Sequence, residues 1–284
     1  MGRHAYLIMA HHKFDLLRTL LRMLDDQRND IYLHIDKKAK GFNFREFNQL
    51  CRNARVIYPQ TRINVRWGTQ SQVRTEMILM RTAVQNGPYE YYHLISGVDL
   101  PLRSQDEIHN VLEGRRENYL FYEAETKRWN AERISLYHGL IPEWIPGSEV
   151  VNSRLVKMQQ RLGVNRLKGK VHVCKGSNWA TLTQSAVEML VQQEKSIKKL
   201  TRFSHCADEL YKQTILFGKG CPMAGTDLRF TIWEDIRHPK TLTMEDLPEL
   251  RRTKALFARK FDPDVDNEVI RRVVQMAGGK AENG

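Results

Sequence analysis

The sequence predicts an α/β fold with a mostly parallel central sheet flanked by helices. Two observations carry this prediction. Short apolar runs typical of buried strands alternate with segments of helical periodicity, and the intervals between the runs are long enough for helical crossovers. The hydrophobic fraction of 41% and the charged fraction of 27% are those of a globular protein. For 284 residues we expect one domain, 1–284.

The first hundred residues contain repeated strand and helix signals. Apolar runs predict strands over residues 5–10, 31–35, 56–58 and 91–95. Between them, apolar residues at the spacing of three and four that is typical of amphipathic helices predict two helices. These residues are Leu17, Leu20, Leu21 and Leu24 in the first helix, and Val73, Met77, Met80 and Val84 in the second. Thr69 or Ser71 is the expected cap of the second helix.

Residues 113–176 lose this pattern and become rich in basic and aromatic side chains, so we expect substrate-facing loops there. A strand over 177–182 and helices over 186–191 and 208–217 are predicted to follow. The first turn of the last helix carries Asp208 and Glu209, and acidic side chains are favourable at a helix N-terminus. Asp208 is the expected capping residue.

Polar residues follow the predicted strands: His11 and His12, then Asp36, then Ser96 and Asp99. Because the carboxyl ends of parallel strands meet at one edge of a sheet, and ligands of such sheets bind beyond that edge, these residues predict a substrate cleft. Asp99 precedes a Leu-Pro pair, and whether it only organises a turn stays open at this point.

The formal net charge is +12 with a pI near 9.6, which favours anionic partners such as phosphates, nucleic acid or an acidic membrane surface. No apolar run approaches the roughly 18 residues needed to span a bilayer, and the start of the sequence does not read as a signal peptide. We therefore expect a cytoplasmic protein. The four cysteines lack Cys-x-x-Cys spacing, so neither a zinc knuckle nor a thioredoxin motif is supported.

Glycine-loop phosphate motifs and the Gly-x-Ser-x-Gly hydrolase elbow are absent from the sequence. Adjacent His11 and His12 on an extended chain would point to opposite faces, which disfavours one shared metal ion and leaves a loop hydrogen bond or a substrate contact open. Asp36 has no second acidic residue two positions away to hold a divalent cation. Phosphate binding would then need fixed cations, each of which could also be a solvated surface charge. The C-terminal third offers Arg237, Arg251, Arg252, Arg259 and Lys260.

Seven blocks of the sequence resemble the core-2/I-branching glycosyltransferase family, which includes β-1,6-N-acetylglucosaminyltransferases and peptide O-xylosyltransferases. The blocks fall in family order and cover nearly the whole chain. They are residues 4–13, 34–39, Trp67-Gly68 with Ser71, 93–102, 175–179, 207–209 with Thr214, and 256–262. Animal relatives carry a Golgi membrane anchor and disulfides, and neither feature is expected from this sequence. It therefore resembles a bacterial-type member, and peripheral contact with an anionic inner membrane is expected.

The resemblance implies a GT-A (Rossmann-like) nucleotide-sugar transferase fold, inversion at the anomeric carbon, and no divalent metal or other cofactor. Residues 1–112 would form a nucleotide-binding half and residues 113–284 an acceptor and catalytic half. Glu209 matches the catalytic base of the family, and Arg237 and Lys260 match its diphosphate-binding pair. The matches to the UDP-sugar site are completed by Ala10, His11, His12, Asp36 and Trp67 in the nucleotide pocket and by Asn178 and Trp179 near the donor sugar.

These assignments agree with the needs of a single-displacement sugar transfer. One carboxylate must take the proton of the acceptor hydroxyl, and positive charge must stabilise the departing diphosphate. UDP-GlcNAc and UDP-xylose are the expected donors, and a glycan or similar hydroxyl is the expected acceptor. Two local alternatives stay open. In the first, Glu209 only accepts hydrogen bonds from backbone NH groups at a helix start. In the second, Trp67 is an ordinary core aromatic.

A functional alternative is a basic nucleic-acid- or anionic-membrane-binding module without catalysis, favoured by the net charge and by aromatic residues interleaved with Arg and Lys between Tyr119 and Tyr137. No recognised nucleic-acid motif supports it, so nucleic acid is not an expected partner.

Overall fold

Strands and helices alternate along the first half of the chain, and helices predominate in the second half. The computed structural model describes residues 2–139, 145–234 and 238–279. Within these ranges the strands are β1 His4–Ala10, β2 Asn29–Ile35, β3 Arg55–Ile57, β4 Tyr91–Ser96, β5 Leu100–Pro101, β6 Tyr122–Glu123, β7 Lys175–Gly176, β8 Ala180–Thr183, β9 Arg229–Thr231 and β10 Phe257–Arg259. The helices are α1 Phe14–Met23, α2 Phe44–Asn48, α3 Gln70–Val84, α4 Gln105–Leu112, α5 Arg128–Ser135, α6 Ser148–Arg161, α7 Gln184–Gln192, α8 Glu194–Thr201, α9 Tyr211–Gly218, α10 Leu247–Arg252 and α11 Asn267–Met276.

The central sheet has the strand order β3-β2-β1-β4-β8. The first four strands are parallel, and β8 is antiparallel to β4. Its register places Ile8 of β1 between Leu33 of β2 and Ile95 of β4. The predicted α/β fold with a mostly parallel sheet is therefore confirmed, and the four strands predicted in the first hundred residues are all present.

Helices cover both faces of this sheet. Alternate residues of β1 belong to two different clusters of buried residues: Ile8 packs with α1 and α11, whereas Leu7 packs with α3 and α7. This alternation follows the two-residue period of a strand. Since both faces of the strands are covered, β2 and β4 are buried along their whole length, including polar residues such as Asp30 and His93.

A second sheet, β5-β10-β9, returns the C-terminal part of the chain to the central sheet. Strand β10 is antiparallel to β5 and parallel to β9. Just beyond β10, the Phe261 amide donates to the carbonyl of Val98 at 3.0 Å, and the Leu242 amide donates to the carbonyl of Lys260 at 2.9 Å. Lys260 is thus held beside the turn that follows β4.

Three local predictions were wrong. Residues 113–176 are not only loops, because they contain α5 and α6 and the short antiparallel pair of β6 and β7. Helix α6 was missed although Val151, Leu155, Met158 and Leu162 repeat at helical spacing, because the basic and aromatic composition of the segment indicated loops. The strand predicted over 177–182 is β8, which begins at Ala180. The helix predicted over 208–217 is interrupted: a 3₁₀ turn, Ala207–Glu209, precedes α9.

Within the described ranges, no helix is both long enough and apolar enough to cross a membrane.

His4 of β1, a buried histidine, contacts two other buried histidines, His93 of β4 and His109 of α4. The rings of His4 and His109 lie 3.8 Å apart, and His4 and His93 share a hydrogen bond of 3.1 Å between Nδ1 and Nε2. Burial lowers the pKa of His4 to about 2, and burial likewise lowers the pKa of His93 well below its ordinary value of 6.5. These rings are therefore neutral in the folded protein across the physiological pH range.

We predict that acidification below about pH 6.5 destabilises the fold. A histidine with a lowered pKa in the folded state stabilises the protein fully above its unfolded pKa, and this contribution falls by up to about 1.4 kcal/mol per pH unit below it. Asp208, whose pKa is raised to about 7, takes up a proton on folding in this window and offsets one such histidine. Urea denaturation between about pH 7 and pH 5 measures the net slope. His93→Gln should reduce the slope of the unfolding free energy against pH by the contribution of about one proton. An unchanged slope would contradict this explanation.

Candidate active site

The residues that follow β1, β2 and β4 lie together at the carboxyl edge of the central sheet, as predicted. The Asp36 amide donates to the carbonyl of Ala10 at 2.9 Å, and the Gly97 amide donates to the carbonyl of Met9 at 2.9 Å. A Cβ atom on Gly97 would lie only 2.7 Å from the Cβ atom of Ala10. Glycine is therefore required at residue 97 for the ends of β1 and β4 to approach so closely.

Asp36 is buried and organises the loop that leads from β3 to α3. Its Oδ1 accepts from the Lys38 amide at 2.8 Å, and its Oδ2 accepts from the Val65 amide at 3.2 Å. An ionised carboxylate has about four acceptor positions, so these two bonds leave capacity for a further donor such as a ribose hydroxyl.

His11 and His12 lie side by side with their rings stacked, 4.0 Å between ring centroids. The prediction that they point to opposite faces was wrong, because the chain leaves the extended conformation after Ala10. Partial burial is the main reason that the pKa of each imidazole is lowered, which favours the neutral rings. No group of three or more His, Cys, Asp or Glu side chains in residues 2–139, 145–234 and 238–279 is arranged to hold a metal ion.

Lys260 supplies an unpaired positive charge at this edge. Its ammonium has no hydrogen-bond or ion-pair partner within the described residues, and its charge contributes to the lowered pKa of His12. Lys13, by contrast, is held by Asp262 at 2.5 Å and by Asp264 at 2.6 Å. Lys260 is therefore the better placed of the two to receive an anionic ligand.

The other predicted cations differ in their surroundings. Arg251 and Arg252 are exposed on α10, as expected for surface charges. Arg237, the predicted partner of Lys260, lies outside the described residues. Arg259 is paired within the fold and is described next.

Asp99 organises a turn and also binds an arginine, which answers the question left open by the sequence. Its carboxylate accepts from the amide and hydroxyl of Ser96, and Arg259 Nε donates to its Oδ1 at 3.2 Å. The guanidinium of Arg259 lies over the ring of Trp179 at 5.0 Å from the ring centroid. Trp179 is thereby placed next to β10 and Lys260.

Glu209 stands at the end of the 3₁₀ turn with 34% of its side chain exposed. Its Oε2 accepts from Arg133 Nη2 at 2.8 Å, and the same Nη2 donates to the carbonyl of Cys206 at 2.6 Å. Neither the 3₁₀ turn nor α9 has a side-chain cap, so Glu209 does not serve as a helix-start acceptor. Its Oε1 has no partner within the described part of the chain and is free to accept a proton.

Trp67 is not a core aromatic, because 69% of the side chain is exposed. Its ring meets the ring of His205 edge-on at 5.8 Å. The neighbouring Gly68 has a φ of +70°, and its carbonyl accepts from the Cys206 amide at 2.8 Å. The loop that carries Trp67 therefore lies directly against the segment that leads to Glu209.

A fully buried lysine lies behind Glu209. The Lys212 ammonium donates to Glu76 Oε2 at 2.6 Å, to Asn178 Oδ1 at 2.9 Å and to the carbonyl of Asp208 at 2.9 Å. Tyr211 donates its hydroxyl to the same oxygen of Glu76 at 2.7 Å. All three donor hydrogens of the ammonium are used, and they join α3, the residue before Trp179 and the turn that carries Glu209.

Asp208 is not the capping residue that the sequence predicted. It is buried, its Oδ2 accepts from Gln72 Nε2 at 3.2 Å, and its Oδ1 has no partner within the described residues. Burial, followed by the charges of Glu76 and Glu209, raises the pKa of Asp208 to about 7. Near neutral pH the Asp208 carboxyl is therefore partly protonated.

These contacts link the predicted residues into one ring around the edge of the sheet. Successive members are joined by a hydrogen bond, a ring contact or a charge interaction, or they lie within four positions of each other in the chain. The ring runs through Lys260, His12, His11, Asp36, Val65, Trp67, His205, Glu209, Lys212, Asn178, Trp179 and Arg259. Every predicted site residue that the structure describes lies in the ring or, for Ala10, next to it.

Four residues that complete the site were missed from the sequence: Arg133, His205, Glu76 and Lys212. Lys212 alone had a sequence signal, since it is a lysine within the apolar segment 210–217. Arg133 reaches Glu209 across 76 positions, and no spacing in the sequence indicates such a contact.

Lys212→Met should lower the free energy of unfolding by about 3–5 kcal/mol, because it leaves the buried Glu76 without its counter-ion. Lys219→Met is the matched control, since Lys219 is exposed at the end of the same helix and its loss should cost less than about 0.5 kcal/mol. The double variant Glu76→Gln with Lys212→Met should recover part of the loss. Equal stability of the two single lysine variants would show that the buried ammonium is not structurally important.

Comparison with known proteins agrees with the resemblance seen in the sequence. The model of the Core-2/I-Branching enzyme family matches residues 4–251, a range that includes Glu209 and excludes Lys260. Xylosyltransferase 2 of Rattus norvegicus is 24% identical over 298 residues, which cover 94% of this chain and 33% of that protein. Xylosyltransferase 2 of Homo sapiens has the same identity and coverage. The chain thus spans about a third of the length of these curated relatives.

Two solved structures are similar at low identity. Mouse xyloside xylosyltransferase 1 in its apo form has a TM-score of 0.40 at 8% identity, over 90% of this chain and 96% of that chain. The apo structure of the bifunctional glycosyltransferase WbbM has a TM-score of 0.43 at 10% identity, over 92% of this chain and 47% of that chain. These likenesses are weak, and the assignment does not depend on them. Because the family model matches most of its length, this chain belongs to the core-2/I-branching enzyme family.

Proposed function

We propose that this chain is an inverting glycosyltransferase of GT-A type that moves a sugar from a UDP-sugar to a hydroxyl of a glycan or similar acceptor, without a divalent metal. N-Acetylglucosamine and xylose are the proposed sugars, the second favoured by the names of the curated relatives. The observation that carries the proposal is the ring of contacts at the sheet edge. It contains one carboxylate with a free oxygen, Glu209, and one unpaired cation, Lys260.

The nucleoside is proposed to lie over the ends of β1 and β2. Asp36 retains acceptor capacity for the hydroxyls of the ribose, and Ala10, His11 and His12 line the neighbouring edge. The exposed indole of Trp67 offers a flat apolar face that a base or a sugar can cover. Binding there would use an aromatic surface that the fold itself leaves open.

The diphosphate is proposed to lie against Lys260, with Arg237 as the second cation. Negative charge grows on the departing UDP in the transition state, so a fixed cation stabilises the transition state more than the bound donor. One such electrostatic contact is typically worth about 3 kcal/mol of activation free energy. A lysine without a partner among the described residues is suited to this role, because no ion pair seen there has to break.

Glu209 is proposed as the general base. In a single displacement, the acceptor oxygen forms a bond to the anomeric carbon as the bond to UDP breaks, and the hydroxyl proton passes to Glu209 Oε1. Arg133 holds the other oxygen and so fixes the direction of the carboxylate. Asn178 and Trp179, held by Lys212 and Arg259, are proposed to contact the donor sugar between base and diphosphate.

Calorimetric titration of UDP tests the metal-free donor site. Wild-type protein should bind UDP in EDTA, and Lys260→Ala should weaken the affinity about 10- to 100-fold, because one charge-assisted contact is lost. Lys254→Ala, an exposed lysine six positions earlier, should leave the affinity unchanged. Binding that appears only with manganese would contradict metal independence. Failure to bind under both conditions would overturn the transferase proposal in favour of a binding module without catalysis.

Glu209→Gln tests the base. Release of UDP from UDP-GlcNAc or UDP-xylose in the presence of glycan acceptors should fall about 10²- to 10⁴-fold, because the amide cannot take the proton. The affinity for UDP should stay within about twofold, and Glu249→Gln on the exposed side of α10 should retain full turnover. Turnover that survives Glu209→Gln nearly intact would show that another group is the base.

A further inference from the structure

Helix α6 presents an unusual amount of apolar side chain to solvent. Of its fourteen residues, only Ser148 and Gln159 are buried. Its apolar residues on the outer side, together with the C-cap Leu162, are between 43% and 71% exposed, namely Val150, Val151, Met158 and Leu162. This surface is not explained by packing within the described residues.

The same helix concentrates positive charge. Residues 145–172 contain six Lys or Arg and one Glu, so a tenth of the chain carries +5 of the net charge of +12. Within α6 the cations are Arg154, Lys157 and Arg161, and all three are exposed. None of them has a hydrogen-bond or ion-pair partner in the part of the chain that the structure describes.

The apolar and basic side chains form two adjacent stripes. At about 100° per residue, Val151, Met158 and Leu162 fall within about 40° of one another around the helix axis. Arg154, Lys157 and Arg161 occupy the neighbouring sector together with the exposed Val150. The buried Gln159 lies on the other side of the apolar stripe, about 60° from Leu162. A basic stripe beside an apolar stripe is typical of helices that lie in the plane of a membrane surface.

We propose that α6 docks this protein on an anionic lipid surface. The aliphatic stripe would enter the boundary between headgroups and acyl chains, while the three cations contact lipid phosphates. Nucleic acid would also attract the cations, but it offers nothing to aliphatic side chains, and neither stripe contains an aromatic residue for stacking on bases. The lipid surface is the one anionic partner that uses both stripes.

The docking helix is fixed relative to the candidate active site. The side-chain amide of Gln159 bonds to both the amide and the carbonyl of Tyr137, at 2.9 Å each. Gln160 Nε2 donates to Glu132 on α5 at 2.7 Å, and the next residue of α5 is Arg133, the partner of Glu209. Docking through α6 would therefore set the orientation of the site above the membrane.

Co-sedimentation with vesicles tests the proposal. The full chain should bind vesicles of phosphatidylcholine with phosphatidylglycerol and should not bind phosphatidylcholine alone. The charge variant Arg154→Glu, Lys157→Glu, Arg161→Glu and the apolar variant Val151→Ser, Met158→Ser, Leu162→Ser should each weaken binding at least about tenfold. The matched control, Lys195→Glu, Lys198→Glu, Lys199→Glu on α8, makes the same charge change at exposed positions and should bind nearly as the wild type.

Three outcomes would overturn the proposal: no binding of the wild type to anionic vesicles, equal loss in the α8 control, or retention of binding by the apolar variant. The last two would indicate attraction by net charge alone. Loss of gel-shift binding to DNA in the charge variant, with vesicle binding intact, would instead assign the surface to nucleic acid. Far-UV circular dichroism and thermal unfolding of each variant show whether the fold is intact, so this test is independent of the proposed function.

Discussion

The buried ammonium of Lys212 is the interaction on which the candidate site most depends. A charge with no access to water is costly unless every hydrogen of the group finds an acceptor, and here three acceptors come from three separate segments. Glu76 belongs to α3 beneath the sheet edge, Asn178 precedes Trp179, and Asp208 precedes Glu209. The geometry between the proposed base and the proposed sugar contacts is therefore set by one buried group, and it does not rely on exposed loops.

At the sheet edge, the charged groups that lack a partner among the described residues are as informative as the charged groups that are paired. Around the ring, Asp99, Lys13 and Arg133 are committed to ion pairs within the protein. Among the described residues, Glu209 Oε1 and the Lys260 ammonium have no such partner. The proposed metal-free sugar transfer requires one carboxylate that can accept a proton and one cation that can face the diphosphate.

The strands could be predicted from local sequence patterns, and most of the site residues could be predicted from the resemblance to the family. Strands β1, β2 and β4 were found because they are buried on both faces, and the meeting of His11, Asp36 and Asp99 at one edge followed from parallel topology. Trp67, Asn178, Trp179 and the role of Glu209 came from the resemblance to the family, which also selected Arg237 and Lys260 from five candidate cations. Arg133 could not be predicted, since its partner is distant in sequence. Helix α6 was missed although its apolar residues repeat at helical spacing, because the basic composition of the segment indicated loops.

A crystal structure of the protein grown with UDP and EDTA tests most directly whether the carboxyl edge of the sheet forms one UDP-sugar site that works without a metal ion. We predict the diphosphate within hydrogen-bond distance of Lys260 Nζ and the ribose beside Asp36. UDP bound elsewhere, for example in the cavity of about 380 Å³ lined by Thr126, Asn165 and His172, would contradict it.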